Sequence, residues 1–225
     1  MIRLYALILG QIGYFYKQRY YSQNGEDVIM RNWLPEQTGF YVDIGAGKPI
    51  AHSNTFMFYR QGWNGICVDP INSNKKLHKL FRSKDKFIEG CVKKHFGETN
   101  FWEFKSYLYS TTDETKSKQI INKKISPLIK KYQIKCFPLS NIVPKMTPSD
   151  PSFLSIDVEG ADFEVLKSNN WELFSPRLIC VEELNIKANR STAIQKYLQR
   201  HDYLRVSRTS KSSIFVHTDY LNKLY

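Results

Sequence analysis

Cysteine is sparse and scattered. The four residues Cys67, Cys91, Cys136 and Cys180 form no CxxC pair and no Cys/His cluster. A structural zinc module is therefore not expected, and reduced thiols in a cytoplasmic compartment are the simplest reading. Long apolar runs are missing too. The most apolar stretch, Leu4 to Leu9, soon meets Gln11, Lys17 and Arg19. It is too short to span a bilayer, and no small-residue cleavage site of a secretory signal follows it. No repeat, low-complexity tract or Pro/Gly/Ser-rich linker divides the chain, so residues 1–225 read as one domain. Acidic residues are the scarce charge: 21 Asp and Glu face 33 Lys and Arg, a formal net charge of +12. That excess favours acidic partners, whether nucleic acid, an anionic membrane surface or a phosphorylated substrate; a solvated lysine-rich surface accounts for it equally well. With 42% hydrophobic and 14% aromatic residues, the chain is not disordered.

Short apolar runs recur between helical patterns. Phe40–Ile44, Gly65–Asp69, Phe87–Val92, Phe153–Val158 and Leu178–Glu182 are rich in Val and Ile and apolar on both parities. Strands buried on both faces in a parallel sheet have this character, and their alternation with helices predicts a doubly wound α/β fold. Residues 1–35 are expected to form a helical cover, its second helix running from Gly25 to Trp33. Ile121, Ile125, Leu128 and Tyr132 share a helical face, with a break at Pro127, so residues 105–135 read as a basic helical insert near the acceptor side. Tyr203–Ser207 and Ser213–His217 alternate around a polar turn and predict a C-terminal antiparallel hairpin.

Ligands of open α/β sheets bind beyond the carboxyl ends of the strands. Four of those ends carry acids here: Asp43, Asp69, Asp157 and Glu182. The first strand leads into Asp43-Ile-Gly-Ala-Gly47, where Gly45 and Gly47 let the backbone approach a ligand and Ser53 or Asn54 opens the next helix. A dinucleotide fingerprint wants a third glycine where Ile50 stands. Asp43 would repel a pyrophosphate but suit a donor with a cationic amino group and a sulfonium, S-adenosylmethionine, and Asp69 would then accept from both ribose hydroxyls. The lone His52 is not counted among the candidates.

Several blocks in order, Ser22-Gln-Asn-Gly-Glu-Asp27, Val42-Asp-Ile-Gly-Ala-Gly47, Ser53-Asn-Thr55, Gly62-Trp-Asn-Gly-Ile66 and Ser155-Ile-Asp-Val-Glu-Gly-Ala161, resemble the FkbM-type S-adenosylmethionine-dependent methyltransferases. The resemblance spans about Tyr21 to Glu182. It implies a Rossmann-like class I methyltransferase fold: a seven-stranded, mostly parallel sheet with helices on both faces and a C-terminal antiparallel hairpin. It also implies O-methylation, with Gln23 and Glu26 over the methionine end of the cofactor and Cys91 beside its adenine. Two departures stand out: Asp69 where the family commonly has Glu, and Asp162 where it tends to have Glu.

A sugar hydroxyl is too weak an acid to react unaided, so a base or a metal must assist it. Asp157 is the expected general base. Glu159 and Glu182 orient the acceptor or complete an oxygen-rich divalent metal site with Asp157. The expected acceptor is a sugar, sugar nucleotide or glycan. RNA ribose 2'-O-methylation is the second enzyme reading, set back because no lysine stands near Asp157 in sequence. A non-catalytic module with a cofactor fold is the third. The aromatic start (Tyr14, Phe15, Tyr16, Tyr20, Tyr21) would suit packing on a neighbouring domain or a second copy.

Overall fold

A computed structural model of the chain describes residues 2–17, 20–183 and 192–223, apart from the side chains of 2–5 and 14–17. The strands in chain order are β1 (Phe40–Ile44), β2 (Asn64–Asp69), β3 (Lys86–Glu89), β4 (Cys91–Val92), β5 (Gly97–Phe104), β6 (Leu128–Phe137), β7 (Ser152–Ile156), β8 (Leu178–Glu182), β9 (Tyr203–Arg208) and β10 (Ser212–His217). The helices are α1 (Ile2–Lys17), α2 (Glu26–Trp33), α3 (Phe56–Arg60), α4 (Asn72–Phe81), α5 (Glu114–Asn122), α6 (Asp162–Lys167), α7 (Ala193–Gln199) and α8 (Thr218–Leu221).

Seven strands form one sheet in the order β3-β2-β1-β7-β8-β10-β9. The first five are parallel, and β10 enters antiparallel between β8 and β9, so the expected hairpin and mostly parallel sheet are both present. Strand order reverses between β1 and β7, and a ligand cleft is expected there.

Both faces of the sheet are buried, which explains why its strands read apolar on both parities. Val42, Ile44, Val68, Leu154, Ile156 and Ile179 pack on one side with Val165, Leu166 and Leu198. Tyr41, Cys67, Phe153, Leu178 and Cys180 pack on the other with Met30, Leu34 and Phe58. The cover at the chain start includes α1 and α2. Helix α1 is anchored through buried Gln11, whose Oε1 accepts from the amides of Ile50 and Ala51 at 3.2 and 3.0 Å. Asp27 closes the entry to α2, accepting from the Ser22 hydroxyl and the Tyr21 amide, each at 2.7 Å. The side chains of Tyr14, Phe15 and Tyr16 lie outside the described residues; Tyr21 is buried on Phe56.

Two segments differ from expectation. The third apolar run divides at Gly90: β3 stays in the main sheet, while β4 joins a second sheet, ordered β4-β6-β5. The insert is not wholly helical either. Its helical part is α5 and a 3-10 turn at Tyr107–Tyr109, and residues 128–137 form β6, antiparallel to β5 with Phe101 opposite Tyr132. The side chains explain it: Tyr132, Ile134 and Cys136 turn inward while Gln133 and Lys135 face solvent, a period of two that begins at Tyr132.

Candidate functional site

The cleft at the reversal point encloses about 850 Å³, part of it continuous with solvent. Its floor is the turn after β1. Gly45 adopts φ 81°, and a Cβ there would stand 1.8 Å from the Asp157 carbonyl oxygen, so only glycine lets the turns after β1 and β7 meet. The turn spends its own amides internally: Gly45 and Ala46 donate to the Val68 carbonyl at 2.9 and 3.0 Å, and Gly47 donates to Asp69 Oδ2 at 3.0 Å. It therefore presents no open nest of N–H groups to a pyrophosphate.

Asp69, at the end of β2, lines this cleft. Its Oδ1 accepts from the Ile71 amide at 2.8 Å and from Asn74 Nδ2 at 2.9 Å. Burial lifts its pKa to about 6 against the pull of those three donors. Of about four lone-pair sites on a carboxylate, one on Oδ2 is left for a ligand. Beyond it, Ile71, Gly90, Cys91, Val92 and Phe101 make an apolar wall. Burial pushes the Cys91 thiol to about 12, so it packs as a neutral side chain. A roof comes from the segment that follows β5, with Tyr107 and Thr111 among its side chains. Tyr107 meets His52 Nδ1 at 2.9 Å across the opening.

Opposite the donor wall stand three acids. Asp157 and Glu159 line the cleft, and Glu182 adjoins them: one carboxylate oxygen from each lies within 4.8 Å of the others. Burial, then the charges of Glu182 and Glu159, holds Asp157 well above the usual carboxylate range. Burial, then Glu159 and Asp162, lifts Glu182 to about 7. Glu182 Oε2 is buried without a hydrogen-bond partner. Glu159 occupies a left-handed conformation (φ 58°) that costs a non-glycine residue on the order of 1 kcal/mol. Lys116 of α5 holds it there, its Nζ donating to Glu159 Oε2 at 2.7 Å and to the Glu159 carbonyl at 2.8 Å. A lysine distant in sequence thus reaches the acids.

Of the remaining candidates only Gln23 reaches the cleft; Glu26, Asp43, Ser53 and Asn54 sit behind its wall. Gln23 lines the cleft and accepts from Lys211 Nζ at 2.9 Å. Glu26 is buried and accepts from Thr209 and Asn24; burial pulls its pKa upward, but these bonds outweigh it and hold the group below its ordinary value. Asp43, the acid expected at the cationic end of the donor, shares strand parity with Tyr41 and faces the α2–α3 side. Its Oδ2 accepts from the Thr55 hydroxyl at 2.6 Å. The N-cap of α3 is Thr55 rather than Ser53 or Asn54; Ser53 Oγ accepts from the Phe56 amide at 3.1 Å, and Asn54 donates to Ser155 Oγ at 3.1 Å.

Arg82 organises that layer. It reads in sequence as one more solvated cation among Lys79, Lys84 and Lys86, but it is fully buried. It donates to Asp85 at 2.7 Å, Tyr41 at 2.8 Å, Thr55 at 2.9 Å and Ser53 at 3.2 Å. Neither Arg82 nor Lys116 carries a local signal in sequence, since each acts through partners at least 27 and 43 residues away besides its near neighbours.

No curated protein matches the chain. Among solved structures, precorrin-6y C5,15-methyltransferase from Geobacter metallireducens GS-15 superposes with a TM-score of 0.40 at 9% identity, covering 84% of each chain. A family model described as the methyltransferase FkbM domain matches residues 43–205, well over half of the chain. That span includes the glycine turn, Asp69 and all three acids, and the chain belongs to the FkbM methyltransferase family.

Proposed function

We propose that the protein transfers a methyl group from S-adenosylmethionine to a hydroxyl of a sugar, sugar nucleotide or glycan. Methylation in general follows from the family; the acceptor and the roles below are our reading. S-adenosylmethionine supplies an electrophilic methyl carbon, and the residues of the chain do the rest. The cleft fits such a donor. Asp69 keeps one lone pair for a ribose hydroxyl, the wall around Cys91 and Phe101 suits an adenine ring, and the internally bonded turn has no amides to spare for a phosphate.

The observation that carries the reading is the pair Asp157 and Glu182, two carboxyls held above the ordinary range at the open side of the cleft. A carboxylate made more basic by burial and like charges is a better proton acceptor than a free one. Asp157, which reaches the cleft, takes the hydroxyl proton as the acceptor oxygen gains the methyl group. Glu182 shares the charge, and Glu159, fixed by Lys116, orients the acceptor. Three hard oxygens within 4.8 Å of one another also fit a divalent cation, which would acidify the hydroxyl.

Transfer of labelled methyl groups to a panel of sugars, sugar nucleotides and glycans, with and without chelator, tests this. Asp157→Asn should lower turnover at least about 100-fold while S-adenosylhomocysteine affinity stays within about twofold. Wild-type turnover in that variant would remove Asp157 from the mechanism. Label appearing only in RNA oligonucleotides would replace the acceptor class.

A further inference from the structure

Residues 115–149 contain eight lysines and no Asp, Glu, Arg or His. Within this stretch, the end of α5, the turn after it and the start of β6 form a tip in which every residue from 121 to 131 except Ser126 is exposed. Four of those residues are large and apolar: Ile121 (43% exposed), Ile125 (47%), Leu128 (41%) and Ile129 (39%). Single exposed apolar residues are ordinary, but four within nine positions are a patch. The tip is also well built. Lys124 turns the chain in a left-handed conformation, the Ile125 amide donates to the Ile120 carbonyl at 3.0 Å, and the Lys105 and Ser106 amides donate to the Pro127 carbonyl and Ser126 Oγ at 2.8 and 3.1 Å.

Charge distinguishes the partner. Three lysines of the stretch pair with a carboxylate: Lys116 with Glu159, Lys118 with Glu114 and Lys130 with Glu103. Lys123 and Lys124, at the apex beside Ile121 and Ile125, have no ion pair among the described residues. Apolar side chains flanked by two lysines without an ion pair match the boundary layer of an anionic bilayer, where the apolar groups enter the headgroup region and the ammonium groups stay at its phosphates. A nucleic acid would use the lysines but leave the isoleucines in water, and a protein partner would need acids facing this crown.

We propose that the tip formed by residues 121–131 docks the protein on an anionic lipid surface. The amides of Lys105 and Ser106 tie the tip to the start of the roof segment that includes Tyr107 and Thr111, so docking brings the roofed side of the cleft towards the membrane. This inference does not rest on the methyl acceptor or on any catalytic role given above.

Co-sedimentation of the full chain with vesicles tests it. The chain should pellet with vesicles of phosphatidylcholine containing about a third phosphatidylglycerol, stay in solution with pure phosphatidylcholine, and lose binding in high salt. Each lysine near such a surface contributes roughly fivefold to partitioning, so Lys123→Gln with Lys124→Gln should weaken binding on the order of 30-fold. Ile121→Ser with Ile125→Ser should weaken it independently at constant charge. S-adenosylhomocysteine affinity and melting temperature, unchanged in both variants, show that each still folds. No binding to the anionic vesicles, or equal binding by either variant, overturns the proposal. So does a dimer that the isoleucine variant converts to monomer, or capture of polyuridylate that the lysine variant loses while vesicle binding persists.

Discussion

Glu182→Gln should stabilise the protein at pH 8 and do so far less at pH 5. The folded chain holds the Glu182 proton until about pH 7, whereas an unfolded chain releases it near 4.5. The folded state therefore binds more protons between those values, and stability falls as pH rises through that window and is flat above it. At 1.36 kcal/mol per pH unit, ionising the folded group costs about 3 kcal/mol. Coulomb repulsion gives the same scale: two unit charges 4.8 Å apart at an effective dielectric constant of 20 repel by about 3.5 kcal/mol. Glutamine keeps the shape and removes the charge, so urea unfolding at pH 8 should favour the variant by about 2–3 kcal/mol, with a difference of at most about 1 kcal/mol at pH 5, where the unfolded glutamate is already largely ionised. Magnesium should narrow the gap at pH 8, because a cation held by three carboxylates stabilises only the wild type. An equal gain at both pH values, or none at pH 8, would refute the reading of a buried, mutually repelling pair.

Asp69→Asn should weaken S-adenosylhomocysteine binding about 10- to 100-fold by calorimetry, the usual worth of a hydrogen bond to a charged group; an unaltered dissociation constant would end its ribose role. Arg82→Met strands Asp85 in the interior without its 2.7 Å partner and should cost about 3–5 kcal/mol in chemical denaturation. Gly45→Ala forces a Cβ against the Asp157 carbonyl and should cost about 2–4 kcal/mol or displace the turn, read as lost donor affinity in a chain that still melts cooperatively.

The main sheet was legible because a strand buried on both faces has a composition nothing else in the chain shares. Val42 and Ile44 pack on one side and Tyr41 and Cys67 on the other, so every position reports burial. The second sheet was hidden. Ile121, Ile125, Leu128 and Tyr132 fit a helix as well as they fit a turn and a strand, and what decides is pairing with Phe101 and Trp102, about thirty residues earlier. Asp43 illustrates a different limit. Its place ahead of the glycine turn suggested a ligand contact, but strand parity sends its side chain to Thr55 and the Arg82 layer. The acids at the ends of β7 and β8 were visible one by one; their mutual approach is a product of parallel pairing between those strands.

Gly90 is the corner at which one continuous segment leaves the first sheet and enters the second. Its amide donates to the Asp69 carbonyl at 3.3 Å, and a Cβ there would lie 2.6 Å from the ring of Phe137. Floor and ceiling of the cavity thus belong to two separate slabs, joined through this hinge and, across the gap, by the clasp of Lys116 on Glu159. A molecule seated between them touches both slabs, so its binding should add contacts that tie one to the other.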